Sequence, residues 1–479
     1  MPAAGRKVAR PVVQLLLART VFLASGMVVS IILARALGPV EFGIYGVIIS
    51  VLTWTQLLLN GGIPGATAKL LAERPERAAA IEQTARAILI AGGLALFAAG
   101  WLAAPTLARW LGLPAATGVL RVALLDLPLM AAYFAWQGAL YGHARFGLLA
   151  LSLVIHTLLK LLGIVLLAVL GLSVTGAILA QVAASAGVLV YLFALVPPPR
   201  TLPARELARP MVIMALPLSL YAMALQIHVN LGLWLLSAAG TGDARGFFVA
   251  ALNVSRTLSV IQAVISGVVF ASMSRALAQR DEAAARRHLE DGARFALLLA
   301  APAAVLLGID ADRVVTLLFG ADYAPAGAIL RWQLVAFALL PLLDLCFMAL
   351  AADGRPGLPA WLLAALIAPA AGLCLALINR HGGAGAAAAQ AIVVAIATAL
   401  AALAAWRRFR TLVPPLTLLR VGGASALTAL LSAQISIAGP WLVVKLGALA
   451  AVWLVLLVLL RELTPADLKA FAIWNRGAA

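Results

Sequence analysis

Three cations stand where a lipid-facing chain would carry none. Arg19 lies in ARTVFLASGMVVSIILARALGPVEFG, Lys160 in VIHTLLKLLGIV and Arg256 in ALNVSRTLSVIQ. A charge at the centre of a membrane helix costs at least about 2.5 kcal/mol on insertion scales, so it normally faces a cavity or a partner. Lys160 falls near the middle of its apolar run and Arg256 well inside its own. Arg19 is shallower, about seven residues or roughly 10 Å of helix from the start of its run, which leaves snorkelling to the headgroups as its structural reading. Two carboxylates are clearly inside apolar runs, Asp126 in LLDLPLM and Asp344 in LPLLDLC. They are candidates for a coupling-ion site or for structural ion pairs, such as Asp126 with Arg121 or with Lys160. Three deep cations against two deep carboxylates leave positive charge for a bound anion, and phosphate oxygens pair well with guanidinium and ammonium donors.

Uncharged polar groups extend this pattern. In LQIHVNLG, Gln226 and Asn230 are four apart and share a helix face, whereas His228 between them does not. Together with Asn253 and Gln262 they are candidates to line a wet lumen and bind hydroxyl-rich cargo, or to hold neighbouring helices together. Catalytic chemistry finds no footing. The sequence has no HExxH, no GxSxG elbow and no P-loop lysine, so neither an enzyme nor a cofactor or metal is expected. Cys346 and Cys374 are the only cysteines and form no CxxC pair. Placed toward opposite ends of successive spans, they read as small buried hydrophobes rather than a disulfide.

The elements that must position these residues are membrane helices. Of the 479 residues, 64% are hydrophobic and only 11% charged, against about a quarter charged in ordinary globular domains. Apolar runs long enough to cross a bilayer follow one another from Val12 to Leu460, about 14 by the usual length criterion. The expected architecture is therefore an all-α polytopic membrane protein. The net charge of +17 raises the question of nucleic acid, but the basic residues gather in alternate loops. Arg6, Lys7 and Arg10, then Lys69, Arg74 and Arg77, then Arg200, Arg205 and Arg209, then Arg275 to Arg294, then Arg407, Arg408 and Arg410 fall on one side. The positive-inside rule makes that side, and both termini, cytoplasmic; the partner is the lipid bilayer, not nucleic acid.

The halves of the chain echo each other. LGPVEFGIYGVIISV and AAGTGDARGFFVAALNV each place a Gly-rich turn before an apolar run, and each is followed by a basic loop, KLLAERPERAAAIEQTARAI and SRALAQRDEAAARRHLEDGARF. Six spans separate the equivalents, so the repeats keep one orientation and imply a pseudo-twofold along the membrane normal with a site between lobes. The expected lobes are residues 1–196 and 211–405, joined by a Pro-rich cytoplasmic segment, 197–210, that favours extended chain. Residues 406–479 would add two spans and a tail. Within the second basic loop, Glu282 with Arg286 and Glu290 with Arg294 have the spacing of helical i,i+4 ion pairs.

LARALGPVEFGIYGVIISVLTWTQLLLNGGIPGATAKLLAE resembles the opening of bacterial oligosaccharide (O-antigen type) flippases of the polysaccharide biosynthesis transporter family, within the multidrug/oligosaccharidyl-lipid/polysaccharide superfamily. ALYGHARFG and LFGADYAPAGAILRWQ agree with the same family. The resemblance implies two six-helix bundles around a central cavity plus two C-terminal helices. It also implies a polyprenyl-pyrophosphate-linked oligosaccharide as cargo, moved from the inner to the outer leaflet of the bacterial inner membrane. A polysaccharide polymerase and glycosyltransferases would act beside it. Related lipid II flippases place arginines of the first and eighth spans in their cavity, and Arg19 and Arg256 occupy comparable positions here. Multidrug relatives often carry a cation-binding carboxylate in the first span; this one has Arg19 and no acid, which weakens the alternative of a cation-coupled multidrug exporter. A membrane scaffold with structural buried charges is the remaining alternative.

Overall fold

The computed structural model describes residues 3–169, 173–355, 357–435, 437 and 439–463; side chains are described from residue 25 onward, apart from 167–169, 218, 263 and 264. Among the described residues the regular structure is helical throughout. In chain order the helices are α1 (Ala3–Asn60), α2 (Ile63–Glu73), α3 (Ala78–Trp110), α4 (Thr117–Leu124), α5 (Asp126–Gly142), α6 (Phe146–Val169) and α7 (Val174–Leu195). They continue as α8 (Arg205–Ala238), α9 (Gly242–Ser255), α10 (Ser259–Ala278), α11 (Glu282–Ile309), α12 (Ala311–Phe319) and α13 (Ala326–Ala352). The last are α14 (Gly357–Ala365), α15 (Ile367–Phe409), α16 (Pro415–Gln434) and α17 (Trp441–Leu459). Helix is the form that hydrocarbon imposes, because it satisfies backbone N–H and C=O groups within the segment.

Twelve stretches among the described residues are long and apolar enough to cross a membrane, rather than the 14 separate runs read from the sequence. The difference has a backbone cause. Ser25–Glu73 and Gly357–Phe409 hold 49 and 53 residues, well beyond the roughly 20 that one crossing needs. In the first, α1 is two helices meeting at a kink at Gly38, with φ 70° and ψ 174°; in the second, α15 kinks at Gly382, with φ 55° and ψ −133°. Glycine takes these left-handed angles without a Cβ clash, so helical turns run up to the bend on both sides with no loop between.

The helices gather into two compact units. The first holds α1 to α7, α8 as far as Asn230, and Ser237–Gly246; the second holds Leu231–Leu236 and the chain from Phe247 through α17. The border thus falls inside α8, downstream of the Pro-rich segment. That segment is tied down on the first unit: Trp136 Nε1 donates to the Val196 carbonyl at 2.9 Å, Thr201 Oγ1 to the Ala79 carbonyl at 3.2 Å, and the Ala204 N–H to Thr84 Oγ1 at 2.9 Å. Arg77 and Glu206 close the set with an ion pair at 2.5 Å. The helix then begins at Arg205 and carries Pro210 and Pro217 inside it, further upstream than its prolines suggest.

In the first unit a core built on Leu59, Ile81, Leu89, Phe134 and Trp136 packs α1, α3 and α5 together. Gly246 also belongs to this unit, and a Cβ there would collide with the Pro39 carbonyl. The second unit has its core on Val269, Met273, Leu289, Leu345 and Phe409, from α10, α11, α13 and α15. The i,i+4 pairs expected along α11 do not form among the described residues. Glu282 instead meets Arg408 at 2.9 Å, Glu290 accepts from Thr411 Oγ1, and Arg294 donates to Glu462 at 2.9 Å. Bringing the ends of α15 and α17 against α11 offers these side chains partners that water would otherwise supply.

Those last contacts hold the C-terminal hairpin. At one end of α11, Asp310 accepts from Lys445 Nζ at 2.5 Å, Ser432 Oγ at 3.2 Å and Arg313 Nη1 at 2.6 Å. Lys445 and Asp310 side chains are 1% and 2% exposed, so this is a buried ion pair. Near the middle of α11, Arg294 Nε donates to Glu462 at 2.9 Å, and Glu462 also accepts from Thr417 Oγ1 at 2.8 Å and Arg420 Nη1 at 3.1 Å. Between the two, Leu298 packs on Val421, Ala424, Trp453 and Leu457.

Burial alone would raise the Glu462 carboxyl, yet the Thr417, Arg294 and Arg420 hydrogen bonds prevail and hold it below the ordinary carboxylate range. Its contribution is therefore present above the unfolded-state value near pH 4.3 and fades as pH falls through the lowered folded-state value. Acidification below about pH 4 should lower the melting temperature of the purified protein, and Glu462→Gln should flatten that dependence. Lys445→Ala should cost about 3 kcal/mol, the usual effect of leaving a buried charge behind, while Lys445→Met with Asp310→Asn should recover most of it. Thermal melting followed through tryptophan fluorescence reads both.

Candidate functional site

Asp126 sits where a membrane crossing breaks. Helix α4 ends at Leu124, Leu125 forms a turn, and Asp126 opens α5, where the positive end of the helix dipole favours a carboxylate. The residue is fully buried. Its Oδ2 accepts from Gln56 Nε2 of α1 at 3.0 Å and from Gln181 Nε2 of α7 at 3.4 Å. Its Oδ1 is buried and meets no hydrogen-bond geometry among the described residues, although the Ser185 hydroxyl lies close enough to act on the carboxylate. Helix α6 adds His156 and Lys160, four apart and so on one face. His156 Nε2 lies 3.3 Å from Ser185 Oγ of α7, and the Lys160 charge acts on both Asp126 and His156.

The ammonium of Lys160 makes no hydrogen bond or ion pair among the described residues. One carboxylate oxygen and one ammonium thus retain bonding capacity inside the first unit. Chemically, such a cluster can hold an anion on Lys160 or a proton or small cation on Asp126.

Arg256 marks a second break. Residues Arg256–Leu258 form a 3₁₀ turn between α9 and α10, within a stretch that is one crossing by length and hydropathy. Thr257 Oγ1 donates to the Val254 carbonyl at 2.7 Å and Ser259 Oγ to the Arg256 carbonyl at 2.5 Å. These hydroxyls occupy carbonyls that an irregular turn exposes, which lets non-helical backbone persist at membrane depth. Mid-helix 3₁₀ turns often mark hinges. Arg256 and Asn253 are half-buried in the second unit, and Asp344 on α13 is buried there.

The other expected residues are placed as follows. Asn230 is fully buried and donates Nδ2 to the backbone carbonyl of Gln226 at 2.8 Å; Gln226 itself is half-buried. Arg121 does not pair with Asp126. Its guanidinium lies 5.2 Å from the Trp101 ring centroid, a cation–π contact that takes the place of an acid. Arg19 lies on α1, and its side chain is outside the described residues. Cys346 and Cys374 are both free and buried.

Several polar residues escaped sequence reasoning. Gln56, His156, Gln181 and Ser185 belong to no local motif, and only the helix packing brings them to Asp126. Arg86, 8% exposed, lies 4.6 Å over the Trp136 ring and 3.4 Å from Gln83 Oε1. Lys445 and Asp310 are a further buried pair. A lone lysine in WLVVKLGALAA was a visible signal for it.

A family model described as polysaccharide biosynthesis protein matches residues 32–328. The chain belongs to that family. The matched segment of this family member contains Asp126, Lys160, Gln226, Asn230, Asn253 and Arg256, and ends before Asp344. Among solved structures the chain is similar to a lipid II flippase MurJ in an inward closed conformation, with a TM-score of 0.80, 14% identity, and coverage of 94% of this chain and 99% of that one. It is also similar to a multidrug resistance MATE family transporter of the MOP superfamily, inward-facing, with a TM-score of 0.71, 16% identity, and coverage of 81% and 94%. The outward-facing MATE structure gives 0.63, with 16% identity and coverage of 85% and 96%. No curated protein matches in sequence. At these identities the likeness establishes the fold of the family member: the multi-span helical fold that MurJ and MATE transporters share.

Replacing Asp126 with Leu would leave the Gln56 and Gln181 amides without their acceptor, at about 1 to 3 kcal/mol for each donor left bare. Asp126→Asn, which keeps an oxygen for them, should cost less. Thermal unfolding of the two variants in detergent orders them.

Proposed function

We propose that the protein is a flippase that moves a polyprenyl-pyrophosphate-linked oligosaccharide from the inner to the outer leaflet of the cytoplasmic membrane for surface polysaccharide synthesis. Lys160 and Arg256, with Arg19, receive the pyrophosphate; the half-buried Gln226 and Asn253 meet the sugar, whereas Asn230, fully buried and bonded to the Gln226 carbonyl, serves its own helix. The observation that carries this reading is the uncommitted ammonium of Lys160 inside the apolar first unit of a chain from a polysaccharide biosynthesis family. Phosphate oxygens are the natural complement of such a donor, and guanidinium groups like that of Arg256 can bind them in bidentate fashion. Lipid II, the cargo of the structurally similar MurJ flippase, supports the same class of substrate.

Energetics favour the direction. With the cell interior negative, carrying an anion outward is downhill by about 2.3 kcal/mol per charge per 100 mV, if the charge crosses the full field. Both termini cytoplasmic, as the basic loops imply, fits this orientation. A polysaccharide polymerase and glycosyltransferases would then consume and supply the cargo.

Asp126 supports a second reading, cation-coupled export, because its Oδ1, outside any hydrogen-bond geometry among the described residues, can take a proton or small cation. Transport of labelled lipid-linked glycan in proteoliposomes separates the readings. Lys160→Ala and Arg256→Ala should each slow glycan translocation about tenfold or more, the worth of one lost charge-assisted hydrogen bond, with the protein still inserted and folded. Arg256→Lys should keep part of the rate. Unchanged translocation in both Ala variants would refute the placing of the pyrophosphate on Lys160 and Arg256, and no glycan translocation by the unaltered protein would refute the flippase reading. Extrusion of organic cations that depends on Asp126, without glycan movement, would establish the exporter instead.

A further inference from the structure

Arg407 stands at the mouth of an apolar groove on the second unit. The groove, about 180 Å³, runs between the ends of α13, α14 and α15 and is walled by Leu350, Leu358, Leu362, Leu400 and Ala404. Its lining is almost wholly hydrocarbon, and Arg407 is the one charged residue among those that line it. The outward faces beside it are apolar too: Leu358 is 52% exposed, Leu403 43% and Trp361 74%.

The charges around the mouth do not cancel. Asp353 and Glu282 are both engaged by Arg408, at 2.7 and 2.9 Å, and Asp353 also faces Arg355 at 3.5 Å. Glu290 is occupied by Thr411. Arg407 forms no ion pair among the described residues. Arg410, at the left-handed end of α15 with φ 58°, lays its guanidinium 5.4 Å from the Trp406 ring centroid and likewise has no acid. Arg407 thus brings to a slot shaped for hydrocarbon a cation with no ion-pair partner among the described residues, and Arg410 adds a second such charge three residues further along the chain.

We propose that this groove is a binding site for an anionic glycerophospholipid of the surrounding leaflet. One acyl chain lies along the leucines and the phosphate meets Arg407, with Arg410 adding long-range attraction. An anionic headgroup is favoured over a zwitterionic one because a headgroup ammonium would face both guanidiniums. Basic pockets between membrane helices bind anionic headgroups by this combination of hydrocarbon contact and charge. Such a site is separate from the cargo residues and does not depend on which substrate is moved.

Native mass spectrometry of the full-length protein, released into detergent with phosphatidylglycerol or phosphatidylcholine of the same acyl length, tests it. The unaltered protein should retain phosphatidylglycerol in preference to phosphatidylcholine. Arg407→Gln, an exposed substitution that leaves the fold intact, should lower phosphatidylglycerol retention about fivefold and leave phosphatidylcholine unchanged. Ala404→Trp, which fills the groove, should remove both lipids. Equal retention of the two lipids by the unaltered protein, or phosphatidylglycerol retention unaltered in Arg407→Gln, overturns the proposal. Should Ala404→Trp fail to fold, the Arg407→Gln comparison still decides.

Discussion

Hydrocarbon offers no partner to a polar group, and most of this chain's particular features answer that single constraint. Regular helix satisfies the backbone, which is why long helices dominate the described residues. Side chains are harder to satisfy, because each buried charge or amide must find its complement on another helix. Asp126 draws amides from α1 and α7, Asp310 draws an ammonium from α17, and Glu462 draws two guanidiniums and a hydroxyl. Each acid thereby fixes helices that hydrophobic packing alone would hold only loosely, since lipid is as apolar as leucine.

The backbone is irregular where the chemistry is concentrated. Asp126 opens α5 after a turn, and Arg256 opens the 3₁₀ segment that divides α9 from α10. A break in a crossing helix frees carbonyls and N–H groups, and these are tolerated only where protein or water can meet them. Thr257 and Ser259 meet two of them at the second break. Charge and irregular backbone thus share the same local remedy: both need a polar surrounding that lipid cannot provide.

Much of the fold was legible because hydropathy is a sum over many residues. The long apolar runs, the all-helical class and the family likeness all rest on such sums or on extended motifs. The details that failed rest on single contacts. Nothing in LGPVEFG separates a loop from a kink at Gly38, since glycine permits both, so two runs that read as separate in the sequence are joined into one continuous stretch in the structure. Spacing alone suggested Glu282 with Arg286 and Glu290 with Arg294, yet tertiary partners on α15, the turn after it, and α17's end outbid the helical neighbour. For the site, Asp126, Lys160 and Arg256 were visible as isolated charges in apolar text. Gln56, Gln181 and His156 were not, because an amide or imidazole in a helix gives no sign of which distant residue it will face.

The two polar clasps on the C-terminal hairpin lie about 24 Å apart along α11, counting 16 residues of rise from Arg294 to Asp310. That length approaches the thickness of a bilayer's hydrocarbon layer. An unclasped pair of helices can tilt to suit a thicker or thinner sheet of lipid, but α16 and α17 are fixed in register with α11 near both of their own ends. The mismatch must then be absorbed by the acyl chains around them, through local stretching or compression. The hairpin acts as a gauge of fixed length, to which the neighbouring lipid conforms.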